Sequence, residues 1–258
     1  MEFGIFNLMG ARDPRTPTAQ VFAEVVEKVA LADKLGYSTA WFAEHHFSNY
    51  CMCASPLMMV AHCAASTRNI RLGTAVVVVP LYNPVRLIAE IASADAMSGG
   101  RLMLGIGAGY QPYEFERFGV DIKDKIEMTD EFLEILDLAF KQDFFSYDGR
   151  HYKMPKTHIA ARPVQRPLPI YVAGHTVEMF RAAARHGYRV ITSGRSGGLK
   201  VTRRPVRRLR QGLRCGERAR GEGAHDGEPF RAHHKQPGGR PAVCGKCALS
   251  DAACFKPS

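Results

Sequence analysis

Along the first two hundred residues, short apolar runs alternate with longer stretches whose apolar residues return every three or four positions. The runs at 2–8, 39–42, 70–79, 101–107, 170–174 and 188–193 predict strands. The periodic stretches at 19–35, 55–65, 84–98, 128–140 and 176–186 predict helices; Val21, Val25, Val29 and Ala32 mark the inner stripe of the first. Start and stop residues fall where this reading needs them. Thr18, Ser55-Pro56, Asn83-Pro84 and Thr176 open helices, while Gly36 and Gly99-Gly100 end them. Residues 144–152 predict a hairpin turning at Asp148-Gly149. Residues 108–127 show no clear rhythm. Several strands are apolar without a period of two, as in parallel sheets covered on both faces. About six βα units can be counted up to Ser193. They fit either an eightfold β/α barrel or an open doubly wound sheet, and in both the functional residues lie beyond the carboxyl ends of the strands.

Chemistry does collect at those ends. Trp41-Phe42-Ala43 runs straight into Glu44-His45-His46, a carboxylate and two imidazoles that need partners wherever they are buried. Histidine is also the side chain whose proton affinity lies nearest neutral pH. The other strand ends hold Ala75 to Pro80, then Gly107, Gly109 and Tyr110, then Gly174, His175 and Thr176, then Ser193 and Gly194. Polar and small residues thus recur at the same end of successive strands. Gly105-x-Gly107-x-Gly109 is not the dinucleotide fingerprint G-x-G-x-x-G, because Tyr110 and Gln111 follow it. Cys51-Met52-Cys53 lacks a second ligand pair and reads as loop or core, so no metal site is expected in this part of the chain. His62, among Val60, Ala61, Cys63 and Ala64, is expected to be packed.

Composition adjusts this picture in one place. The net charge of +10 on 258 residues would suggest an acidic partner. Yet residues 1–198 carry only +1, and residues 199–258 carry +9. A neutral body argues against a nucleic-acid surface there. No apolar run is long enough to span a membrane, and no signal peptide opens the chain. Seven cysteines without regular spacing point away from a disulfide framework and toward a reducing cytoplasm.

Several motifs occur in order and in register: Glu44-His45-His46-Phe47, Gly73-Thr74-Ala75 with Pro80, Asn83-Pro84-Val85-Arg86, Asp95 to Arg101, and Gly105 to Tyr110. Phe115 to Asp121 and Pro169 to Gly174 continue the series. Together they resemble the bacterial luciferase-like flavin-dependent monooxygenases over residues 1–198. The resemblance implies a (β/α)8 barrel of TIM type, here incomplete with about six βα units. It implies reduced FMN supplied by a separate flavin reductase, O2 adding at flavin C4a, and oxidation of a small organic substrate by that C4a-peroxyflavin. It makes His45 the catalytic histidine beside the flavin. Glu44, Ala75, Val76, Gly107, Tyr110, Gly174, Thr176 and Ser193 become the cofactor-binding set. Gly107 stands where luciferase itself has a cysteine, and Ala108 where it has a phosphate-binding arginine; Arg181, Arg185 and Arg195 are alternative cations. A homodimer and a deazaflavin cofactor on the same barrel also fit the resemblance.

Beyond Gly197-Gly198 the composition changes. Residues 199–258 contain ten Arg, eight Gly and four of the seven Cys, and no Ile, Met, Tyr, Trp or Asn. Such a segment is expected to be an out-of-frame or otherwise altered terminus, or a disordered basic tail that binds polyanions, or a zinc site drawing on Cys215, Cys244, Cys247 and Cys254. If the last two units of the barrel are absent, the chain is a truncated, catalytically defective family member.

Overall fold

The computed structural model describes residues 2–174 and 176–192. The basic stretch from 199 onward, Ser193, His175 and Arg195 all lie outside the described residues. In chain order the elements are β1 (Gly4–Asn7), α1 (Thr18–Lys34), β2 (Thr39–Phe42), α2 (Pro56–Ala64), β3 (Arg71–Thr74), β4 (Val77–Val78) and α3 (Pro84–Met97). Then come β5 (Leu102–Gly107), α4 (Pro112–Phe118), α5 (Lys125–Lys141), the hairpin β6 (Phe145–Asp148) and β7 (Lys153–Thr157), β8 (Ile170–Ala173), α6 (Val177–His186) and β9 (Arg189–Ile191). The main sheet runs β1-β2-β3-β5-β8-β9, every pairing parallel, with β4 added to β5. It is a curled half-barrel of six strands, the barrel alternative of the two architectures that the β/α rhythm allows. Among the described residues, β1 and β9 pair on one side only.

Alternation along each strand sorts the two faces. One face holds Ala40, Phe42, Leu72, Thr74, Leu102, Leu104, Ile106 and Val172, all 0–1% exposed, in one core with α1, α2, α3 and α5. The register places Phe6, Trp41 and Gly73 side by side on the other face. Gly73 has no side chain because Trp41 lies across it, and an added Cβ would run into the indole. Trp41 then meets Tyr171 edge-on at 5.5 Å.

The sequence pattern merges β3 and β4 into one strand over 70–79, and the structure breaks it. Pairing with β5 covers Leu72 and Gly73 and resumes only at Val77. In the gap the Thr74 hydroxyl donates to Gly105 O and accepts from Gly105 N–H, both at 2.8 Å. A side chain thus replaces two ladder bonds, and the chain is free to step outward at Ala75-Val76, whose peptide is cis. Other expectations change too. Thr18 is the first residue of α1 rather than its cap, since Pro17 takes that position with no side-chain bond. Ser55, Asn83 and Thr176 do cap their helices. Helix α4 fills part of the stretch without rhythm; its seven residues are too few to show a period. His62 is exposed on the outer side of α2, where the apolar neighbours in sequence point the other way.

Helix α5 is tied to the last strand through Asp137. Its carboxylate meets His186 Nδ1 at 2.8 Å and accepts from Tyr188 OH at 2.5 Å. Burial alone would raise this carboxyl, but the bonds from His186 and Tyr188 outweigh it and hold the group at about 2. A depressed carboxyl pKa adds stability that is complete above the unfolded value and is lost as pH falls through the folded one.

Two outcomes follow for stability. Thr74→Val keeps the shape but leaves Gly105 N–H and C=O unpaired in the core, so it should cost about 2–4 kcal/mol in urea unfolding. Asp137→Asn should cost about 2 kcal/mol near neutral pH. That gap should close as pH falls from 3.8 toward about 2, which urea midpoints across this range would measure.

Candidate functional site

The carboxyl end of β2 brings two carboxylates and two imidazoles together out of water. Glu44 is 2% exposed and Glu114, on α4, is 1% exposed. Glu44 uses both oxygens: Oε1 meets His46 Nε2 at 3.0 Å, and Oε2 accepts from Val78 N–H at 3.1 Å. Burial raises its pKa against the lowering effect of these bonds. Glu44 therefore fastens β4 and the His46 ring to the end of β2. Glu114 Oε1 accepts from His46 N–H at 2.8 Å and faces His45 Nδ1 at 3.1 Å. A carboxylate only accepts, so His45 Nδ1 donates at this contact and Nε2 is the ring atom left for a second partner. Tyr110 OH stands 3.2 Å from that Nε2. The line Glu114–His45–Tyr110 thus runs from a buried carboxyl group to a phenol whose residue is 58% exposed.

The neighbourhood is poor in competing groups. Burial pushes the Cys53 and Cys63 thiols up to about 12 and raises Cys51 as well. These cysteines stay protonated and are not nucleophiles. The Tyr110 hydroxyl is pushed up to about 12, first by partial loss of water around it and then by the neighbouring Tyr50, though more than half of the residue is exposed. Tyr50 and Tyr110 present edge contacts to the His45 ring at 4.9 and 5.5 Å.

The other sequence-predicted positions fall at the same end of the sheet. Ala75 and Val76 are half-buried between β3 and β4, and Ala75 N–H donates to Phe42 O at 2.7 Å. Gly107 ends β5, and a Cβ there would come 2.6 Å from Val76 Cγ2, so the absence of a side chain lets the two segments close. Ala173 pairs with Gly107, which sets Gly174 beside it. The Thr176 hydroxyl accepts from Met179 N–H at 3.4 Å as the cap of α6. Ser193 lies outside the described residues. Of the alternative cations, Arg185 is paired with Asp130 near the far end of α6.

Two residues escape the sequence reading. Glu114 lies within the stretch without rhythm; Pro112, a helix-start signal two residues earlier, was its one sign. Lys125, the first residue of α5, donates to Gly109 O at 3.1 Å and so brings an ammonium to the carboxyl end of β5. Elsewhere Asp124, Glu127 and His151 bring ligand atoms within 4.8 Å of one another. Arg150 already holds Glu127 Oε2 at 2.7 Å, and we assign no metal there.

A family model described as luciferase-like monooxygenase matches residues 1–225. The uncharacterized protein y4vJ of Sinorhizobium fredii is 45% identical over 202 residues, which make up 78% of this chain and 58% of that protein. The oxygenase component of flavin-dependent trigonelline monooxygenase from Acinetobacter baylyi is 32% identical over 193 residues, 74% of this chain and 53% of that protein. Among solved structures, monooxygenase RslO1 from Streptomyces bottropensis superposes with a TM-score of 0.77 and 27% identity, covering 84% of this chain and 67% of that one. The chain thus spans just over half the length of these two curated relatives. No helix among the described residues is long and apolar enough to cross a membrane.

Removing Glu114 tests this arrangement. Glu114→Ala leaves His45 Nδ1 and His46 N–H without their acceptor, and should cost about 2–4 kcal/mol in stability. Nitrogen-15 NMR of the His45 ring should show one Nδ1-protonated tautomer in the parent protein and a mixture in the variant.

Proposed function

The chain belongs to the luciferase-like monooxygenase family, and on that premise we propose that it is a flavin-dependent monooxygenase acting on a small organic substrate. It takes reduced FMN from a separate reductase, and O2 as co-substrate. The observation that carries this reading is His45, 8% exposed, held by Glu114 with Nε2 turned to Tyr110 at the mouth of the strand ends. The name of the Acinetobacter relative, an oxygenase component, supports the division of labour with a reductase.

The residues present fit a flavin. At Gly107 and Gly109 the space a Cβ would take is filled by Val76 and Val78, so the strand ends stay close-packed beneath the proposed ring. Ala75 and Val76 back the ring on the β3–β4 step. Gly174 and the N–H groups beside Thr176 take the phosphate end, with Lys125 as the cation that stands in for the arginine missing at Ala108. We assign the binding body to residues 1–198, with Ser193 as a further contact. When bound, reduced FMN supplies the activation of O2 and the transfer of one oxygen atom to the substrate.

The chain's own work is to place, to dry and to move protons. Glu44 holds β4 in place beside the proposed cofactor. Glu114 fixes the His45 tautomer, so Nε2 accepts a proton from the reacting group or through Tyr110. Burial of His45 limits the access of water to its ring.

Titrating the purified full chain with FMN and with a deazaflavin tests the proposal. Saturable quenching of FMN fluorescence is expected, with weaker binding of the deazaflavin. Preference for the deazaflavin would instead favour an oxidoreductase of that type, and failure to bind either would favour a defective fragment. His45→Ala should retain FMN binding and lose about 100-fold or more in substrate-coupled oxygen consumption.

A further inference from the structure

The cluster around Phe47 and Arg117 has no part in the proton line. Phe47 follows His45-His46 and has a φ of 60°, a left-handed conformation costly for a bulky residue. That turn directs a large ring into solvent: Phe47 is 58% exposed and its neighbour Phe118 is 41% exposed, with centroids 5.4 Å apart. His46 meets Phe118 edge-on at 4.8 Å. The ring pair is therefore fixed to the same Glu114 that holds His45.

Arg117 stands over this platform. Its guanidinium carbon is 5.6 Å from the centroids of both Phe47 and Tyr113, and Nη1 donates to Tyr113 O at 3.1 Å. Among the described residues no carboxylate pairs with it, as is also true of several other arginines, but Arg117 alone of these stands over both Phe47 and Tyr113. A guanidinium has five donors in a planar fork. Two rings and one carbonyl set its orientation, and the remaining donors are open to an anion.

The geometry points to Arg117 as a specificity-determining residue: it binds the carboxylate of a planar aromatic substrate whose body lies on Phe47 and Phe118, with the reactive carbon reaching toward His45. This rests on the monooxygenase reading of the site. It is a statement about substrate class, since an exposed arginine that only shields two rings would not distinguish a carboxylate from a neutral amide of the same shape.

The test uses 2-naphthoate and 2-naphthamide as probes on the full chain, with and without FMN. The parent protein should bind naphthoate about tenfold more tightly than the amide, and R117Q should abolish that preference while leaving amide and FMN binding unchanged. R117K, which keeps the charge but loses the fork and the ring stacking, should fall between. An equal affinity for the two probes in the parent protein, or a preference that survives in R117Q, would overturn the assignment. Loss of FMN binding by the parent protein would instead count against the monooxygenase reading, and the naphthoate preference is scored separately from it.

Discussion

Two carboxyl groups, Glu44 and Glu114, sit almost out of reach of water, and His46 bonds both, with Val78 N–H as the second partner of Glu44 and His45 Nδ1 as that of Glu114. Buried charge is costly unless it is paired and hydrogen-bonded, so the four side chains can adopt few arrangements. Glu44 reaches across to Val78 N–H and thereby fixes where β4 resumes after the break at Thr74. Glu114 ties α4 to the same point and sets the ring of His45. The outward step at Ala75-Val76, the approach of Gly107 to Val76, and the exposed platform at Phe47 and Phe118 all border this cluster. Loosening either carboxylate would disturb both the reacting imidazole and the walls around it.

Much of this was legible in the residues. Strands β2, β5 and β8 and the capped helices α2, α3 and α6 follow directly from apolar rhythm and from Ser55, Asn83 and Thr176, because local hydrogen bonding and burial point the same way there. The break between β3 and β4 was hidden, since Val76 to Val79 look apolar whether or not they continue a strand. Only the Thr74 hydroxyl, matched to Gly105 from another strand, accounts for it. Glu114 was hidden for a similar reason. Its partners lie 68 and 69 positions away in sequence, and a helix of seven residues has too little pattern to announce itself. His45 was visible because an apolar strand ending in charge is conspicuous locally.

The half-barrel carries the carboxyl ends of β2, β3, β5 and β8 within one sheet, and these hold the residues assigned to the flavin. Longer relatives carry sequence that this chain does not match, so their substrates and partners transfer to it only as proposals. What the chain supplies by itself is a rigid polar cluster, a set of side-chain-free strand ends, and an arginine set over aromatic rings.

The proposed function requires FMN to bind beside His45 at these strand ends. The most direct measurement follows the imidazole resonances of the full chain during FMN titration, with exposed His62 on the outer side of α2 as the internal reference. Saturable shifts at His45, with His62 unchanged, are predicted. FMN binding that leaves His45 unmoved, or moves His62 instead, would contradict the account.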